Sequence, residues 1–175
     1  MSPQDIIDRV HKRALNAKTR TDQTDVYVPR IRSTLSVGDL RDMEARFDLD
    51  IPPILHRIYS EIGDGGFGPG YGFLPMLEPE SKYDDSVLNL YTLFRGGDPD
   101  DPKWQWPEAL LPIVDFGCAI RACIDCQSED VIVHDPNLSE PGVGCNREFL
   151  HQHCKLTEWL CAWCDGENLW ESIYV

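Results

Sequence analysis

Apolar residues recur at helical spacing from the start of the chain. Ile6, Ile7, Val10 and Ala14 share one face, with Arg9, Lys12, Arg13 and Lys18 between them, which predicts an amphipathic helix over residues 3–17 docked on the main body. Thr19 to Arg32 is polar and contains Pro29, so it reads as a connector with a short extended piece at Val26–Val28 and the least order in the chain. Ser36-Val37-Gly38-Asp39 has the form of a capping box with Asp for the usual Glu, and Leu40, Met43 and Phe47 then fall on one face of a second helix. Pro52 or Pro53 opens a third, whose buried stripe is Ile54, Leu55, Ile58, Tyr59 and Ile62.

Gly63 stands where a left-handed residue would close that helix, and Gly65, Gly66, Gly68, Gly70 and Gly72 follow as a turn. Phosphate-binding glycine loops precede a helix, and the P-loop form carries a Lys; this one follows a helix and has no Lys, so a structural turn is the reading. Tyr71–Leu77 predicts a strand ended by Glu78-Pro79, and Tyr83–Phe94 a helix through Val87, Leu88, Leu90, Tyr91 and Phe94. Arg95–Ala109 is an acidic, proline-containing loop whose Trp104 and Trp106 either pin it to the core, the favoured reading, or form a recognition patch. Leu110–Asp125 is β-rich with a bulge or bend at Phe116-Gly117, and Val131–Val133 is a further strand after a turn at Gln127–Asp130. Asp135-Pro136-Asn137 starts a loop. A last helix is predicted over Asn146–Asp165, carrying Phe149, Leu156, Trp159, Leu160 and Trp163 and stopped by Gly166. Residues 1–32 read as an N-terminal helix and connector, and residues 33–175 as a single domain.

Charge changes the picture most. The 175 residues hold 16 Lys and Arg against 30 Asp and Glu, a net charge of -14 that repels nucleic acid backbones and anionic membranes. Residues 1–46 carry nine basic and seven acidic side chains, so residues 47–175 hold the other 7 basic and 23 acidic ones, a net charge of -16. That excess serves plain solubility, or forms an acidic face for a basic protein partner. The exposed acidic runs Asp84-Asp85 and Asp98-Pro99-Asp100-Asp101 are the candidate contacts. Residues 1–20 lack an apolar signal segment and no run of about 18 apolar residues occurs, which predicts a cytoplasmic protein with no membrane association.

The seven cysteines are then expected as reduced thiols or metal ligands. Cys123-x-x-Cys126 and Cys161-x-x-Cys164 are the candidate zinc pairs, with Cys118, Cys145, His151, His153 and Cys154 nearby in sequence. The 34 residues between Cys126 and Cys161 exceed the spacing of compact zinc modules. Cys123 and Cys126 follow a strand, where extended backbone sends their sulfurs to opposite faces. Cys161 projects roughly 140° from Leu156 on the helical wheel, away from the buried stripe. Cys161-x-x-Cys164 also sits near a helix end, where the dipole opposes a reactive thiolate. A Cys/His nucleophile would draw its base from His11, His56, His134, His151 or His153, and no signature surrounds any of the cysteines. Buried thiols, no cofactor and no enzymatic site are the reading.

Taken in order, IPPILHRIYSEIGDGGFGPGYGFLP, WPEALLPIVDFGCAIRACID, VIVHDP and FLHQHCKLTEWLCAWCDG resemble the SUKH superfamily, which includes Smi/Knr-type fungal cell-wall regulators and many bacterial toxin-immunity proteins. The resemblance covers roughly residues 36–168. It rests on Ile51-Pro52, Gly65-Gly66, Pro112 with Phe116-Gly117, and Trp159; Asp64 and Phe116 stand where the family often has Asn and Trp. The resemblance implies an α+β domain with a mixed, mainly antiparallel sheet flanked by helices, and a binding protein without enzymatic activity. In the bacterial branch the implied partner is a toxin domain, often a nucleic-acid-targeting enzyme. A regulatory adaptor of the Smi/Knr type and a zinc-stabilised cysteine-rich domain are the alternatives.

Overall fold

The computed structural model describes residues 1–23, 29–77, 85–140, 142, 144 and 146–174. The predicted extended piece at Val26–Val28, the strand stop at Glu78-Pro79, and Tyr83, Asp84 and Cys145 lie outside these residues.

Helix α1 (Pro3–Leu15) starts at Ser2, whose hydroxyl accepts from Asp5 N while the Asp5 carboxylate accepts from Ser2 N. It stops two residues earlier than its apolar spacing suggests, because Asn16 is extended and Arg20 reaches back to the helix end, donating through Nε to the Ala14 carbonyl at 2.8 Å. Ile6, Ile7, Val10 and Ala14 are buried in the hydrophobic core, and α1 packs against the C-terminal helix. Helix α2 (Val37–Phe47) carries the Ser36/Asp39 capping box read from sequence, and buries Leu40, Met43 and Phe47.

Helix α3 (Pro53–Arg57) has Pro53 in its first turn and runs on as a π-helical turn over Ile58–Ile62. The wider turn leaves the Tyr59 carbonyl to accept from Leu35 N at 3.0 Å, while the buried Tyr59 hydroxyl donates to Leu74 O at 2.7 Å. Gly63 is not left-handed. Its φ is 166°, ordinary extended backbone, and glycine is required there because a Cβ would overlap Ile31 Cγ2 and come within 2.7 Å of Arg32 O.

The sheet contains β1 (Gly72–Phe73), β2 (Leu110–Gly117), β3 (Ile120–Asp125), β4 (Asp130–His134) and β5 (Phe149–Lys155) in sequential order, each antiparallel to the next. The parallel contact among the described residues is the isolated bridge Thr21–Gly68. Only two residues of the predicted strand Tyr71–Leu77 pair as strand. Leu74 N still reaches Ile113 O, but Pro75 has no N–H and Met76 N turns away to the Asp64 carboxylate at 2.7 Å, which takes the chain out of the sheet. The run Leu110–Asp125 is two strands joined at Cys118-Ala119, with register shifts between Pro112 and Val114 and between Asp115 and Gly117. Successive strand residues face opposite sides, and both sides are buried along Leu110–Val114 and Val131–His134, so helices cover both faces. Helix α4 (Val87–Arg95) packs on β2, and α5 (Leu156–Asp165) on β4 and β5.

The predicted helix over Asn146–Asp165 is therefore corrected in its first half. Phe149–Lys155 is an edge strand, and the helix begins at Leu156, where the Glu158 carboxylate accepts from Lys155 N at 2.9 Å and Leu156 N is held by Glu129 O. Helix α4 likewise begins at Val87, later than Tyr83, under a Ser86 cap. Gly166 ends α5 in the left-handed region at φ 88°, as its position predicts. The whole is an α+β fold in a single domain.

Candidate functional site

The loop leaving α4 is built from short carboxylate-stabilised turns. Asp100 N donates to Asp98 Oδ1 at 2.8 Å, Lys103 N donates to Asp101 Oδ1 at 3.1 Å, and Trp104 N donates to Asp101 O at 2.9 Å. Its tip is joined to a second loop: Gly142 N donates to Asp101 Oδ2 and Lys103 Nζ donates to Gly142 O, at 3.2 and 3.1 Å. The far end is clamped by Arg95, which donates to Trp106 O at 2.6 Å and pairs with Glu108 at 3.1 Å. Asp98 and Asp100 are exposed, Asp101 is half-buried, and none of the three holds an ion pair among the described residues.

Asp85 is differently placed. It is exposed, but its carboxylate lies 2.8 Å from Arg121, which is buried on β3 and also pairs with Asp115 at 2.7 Å. Sequence runs that look alike are thus separated: Asp85 anchors a buried guanidinium, while Asp98 and Asp100 are exposed and Asp101 holds the loop tip with both carboxylate oxygens. Asp84 lies outside the described residues.

Beneath the acidic loop the two tryptophans pin it to the core. Trp106 is buried, donates from Nε1 to Leu110 O at 2.7 Å, and has Phe94 and Phe149 within 4.4 and 5.3 Å between ring centroids. Its edge-to-face contact with His134, at 4.9 Å, continues this aromatic wall. Trp104 is half-buried, and its Nε1 points to both oxygens of Glu148 at 3.3 and 3.1 Å. His134 Nε2 lies 2.8 Å from the same carboxylate, with side-chain exposures of 3% and 2%. Burial holds the His134 imidazole below its ordinary range; Glu148 acts against this, and so does the Asp135 charge. Its Nδ1 is buried without a hydrogen-bond partner among the described residues.

The described cysteines are free thiols. Cys123 is fully buried on β3 and Cys126 is half-buried just beyond it, while Cys161 and Cys164 are half-buried on α5. Burial pushes the Cys123 thiol far up, Cys126 up to about 12 and Cys164 up to about 11, the direction opposite to thiolate formation. Among the described residues no three Cys, His, Asp or Glu side chains form a group that could hold a metal ion. His151 and His153 lie on the exposed side of β5 with their rings stacked 6.4 Å apart. Among the described residues no helix is long and apolar enough to cross a membrane.

No protein-family model matches the chain, and no curated protein matches it in sequence. The residue that sequence reasoning missed is Glu148. It stands alone between Arg147 and the β5 strand, in a segment read as helix, and its meeting with His134 and Trp104 depends on the β4–β5 pairing that brings His134 opposite Phe149.

Proposed function

We propose that the protein is a non-enzymatic binding protein of the immunity type, acting in the cytoplasm to capture and occlude a basic toxin domain that attacks nucleic acid. The observation that carries this reading is the set of carboxylates Asp98, Asp100 and Asp101, the first two exposed and the third half-buried, free of ion pairs among the described residues and held by turn hydrogen bonds on a loop above an aromatic anchor. A protein with a net charge of -16 over residues 47–175 steers a cationic partner over long range, and carboxylates on a fixed loop imitate the phosphates that such a toxin grips. The SUKH resemblance supports the same class of partner, and Asp85 contributes to the field from its pair with Arg121.

The test is recovery of the partner by pull-down from the native organism, starting with the product of the adjacent gene, followed by coexpression. Rescue of growth from that product supports the reading. Substituting Asp98, Asp100 and Asp101 together by Asn then slows association by about tenfold or more at low salt, with little change at high salt. A partner without toxicity redirects the reading to a regulatory adaptor, and a salt-insensitive association overturns the electrostatic part.

A further inference from the structure

The acidic loop is fastened at two levels. At its tip the bonds between Asp101, Lys103 and Gly142 are exposed to water. At its base, Glu148 draws together three separate pieces of chain: Trp104 from the acidic loop, His134 from the end of β4, and its own position at the end of the second loop. No Lys or Arg among the described residues neutralises Glu148, so two neutral N–H groups support a buried carboxylate. A buried carboxylate so supported is sensitive to any change in its donors or its charge.

We infer that Glu148, His134 and Trp104 form a buried latch that positions the acidic loop and opens in acid, so that Asp98, Asp100 and Asp101 hold their arrangement at neutral pH and lose it at low pH. The inference deepens the binding reading above and, for its effect on capture, rests on it. Because an ionised carboxylate only accepts, Nε2 of His134 carries the proton at neutral pH and Nδ1 is bare. A proton added at Nδ1 creates a buried donor that faces no acceptor among the described residues.

The groups around His134 set the balance. Arg121 on β3 lies directly across from it and disfavours its cation, Asp135 beside it favours the cation, and Cys123 on β3 is a neutral thiol. Phe94 from α4, Trp106 from the loop and Phe149 from β5 present rings alone. Burial holds the His134 imidazole below 6.5, so the unfolded chain takes up the proton first. The latch's contribution to stability is therefore complete above that value and is lost as the pH falls through the folded one.

The decisive measurement is amide hydrogen exchange, corrected to protection factors, for residues 96–106 with α1 and α2 as internal references. Trp104→Phe keeps a ring and removes the N–H, whereas Glu148→Gln keeps the shape and removes the charge. Each is expected to lower protection of residues 96–106 by about tenfold while leaving the two reference helices unchanged. The parent protein is expected to lose protection in the same segment between about pH 7.5 and about pH 5. Unchanged protection in both variants, or a loss spread evenly over the chain, overturns the latch, and a parent whose segment ignores pH overturns its acid release. Should Glu148→Gln fail to fold, Trp104→Phe alone decides the first point. These outcomes need no partner, so the latch stands or falls separately from the immunity reading. With the partner from the pull-down, full capture by a variant whose loop has loosened removes the link between latch and binding.

Discussion

A methyl group at residue 66 has nowhere to go. Gly66 sits at φ 82°, and a Cβ there would overlap the Arg30 carbonyl oxygen and lie 2.8 Å from its carbon. Backbone cannot move aside as a flexible side chain can, so two costs combine, left-handed strain and collision. Gly166 isolates the first of them, since it is also left-handed, at φ 88°, but a Cβ would meet nothing within 4 Å. Urea denaturation should therefore show Gly166→Ala losing about 1 kcal/mol and Gly66→Ala losing about 3 kcal/mol or more. Equal losses would mean that Arg30 and Ile31 yield easily and that the turn does not clamp the N-terminal segment. The same residues mark what was readable: Gly166 follows a helix of regular period and shows its role locally. Gly63 was legible as indispensable but for a wrong reason, because the approach of Ile31 and Arg32 is a contact across the fold that no local pattern carries.

Among the elements, those that bury one stripe by local rules were legible. Helices α1 and α2, with their Ser caps and apolar faces, were readable to within two residues or so. Strand β5 was not. FLHQHCK is half-exposed at a sheet edge, has no β-branched residue, and takes its conformation from pairing with β4, interrupted where His153 enters the left-handed region at φ 54°. The π-helical turn was equally invisible, since its cause is the meeting of Tyr59 with Leu35 and Leu74. The β2–β3 hairpin carries a local cost that sequence does reveal once the turn is placed. Cys118 and Ala119 both adopt positive φ, 52° and 64°, the combination that a two-residue primed turn gives to Asn-Gly. Replacing them together, Cys118→Asn with Ala119→Gly, should raise stability by about 1 kcal/mol, read as a higher urea midpoint with an unchanged slope. A lower midpoint would show that the exposed Cys118 or Ala119 side chain makes a contact worth more than the strain.

For the molecule as a whole, the site was legible as charge and illegible as geometry. The acidic runs could be read directly, but not that Asp85 would be drawn to Arg121 or that Glu148 would sit under the loop. The charge nonetheless makes a claim that can be checked without any partner. Beyond residue 46, Arg57, Arg95, Arg121, Arg147 and Lys155 each already hold a carboxylate, and Lys103 donates to a backbone carbonyl. The carboxylates left over repel one another across the surface, with Lys103 the one cation among these not already held by a carboxylate. Exposed pairs such as Lys155–Asp130 contribute little each and are screened by salt, whereas the repulsion is a sum over the surface and is screened as well. Repulsion should win at a net charge of -14. Raising sodium chloride from about 0.01 M to about 0.3 M is therefore expected to raise Tm by about 3 °C, the shift that about 1 kcal/mol produces in a chain of this size. The variant carrying Asn at positions 98, 100 and 101 should begin with a higher Tm at low salt and gain less from added salt. A Tm that falls with salt would mean that the ion pairs outweigh the repulsion. The acidic loop would then be no store of unfavourable charge for a basic partner to relieve.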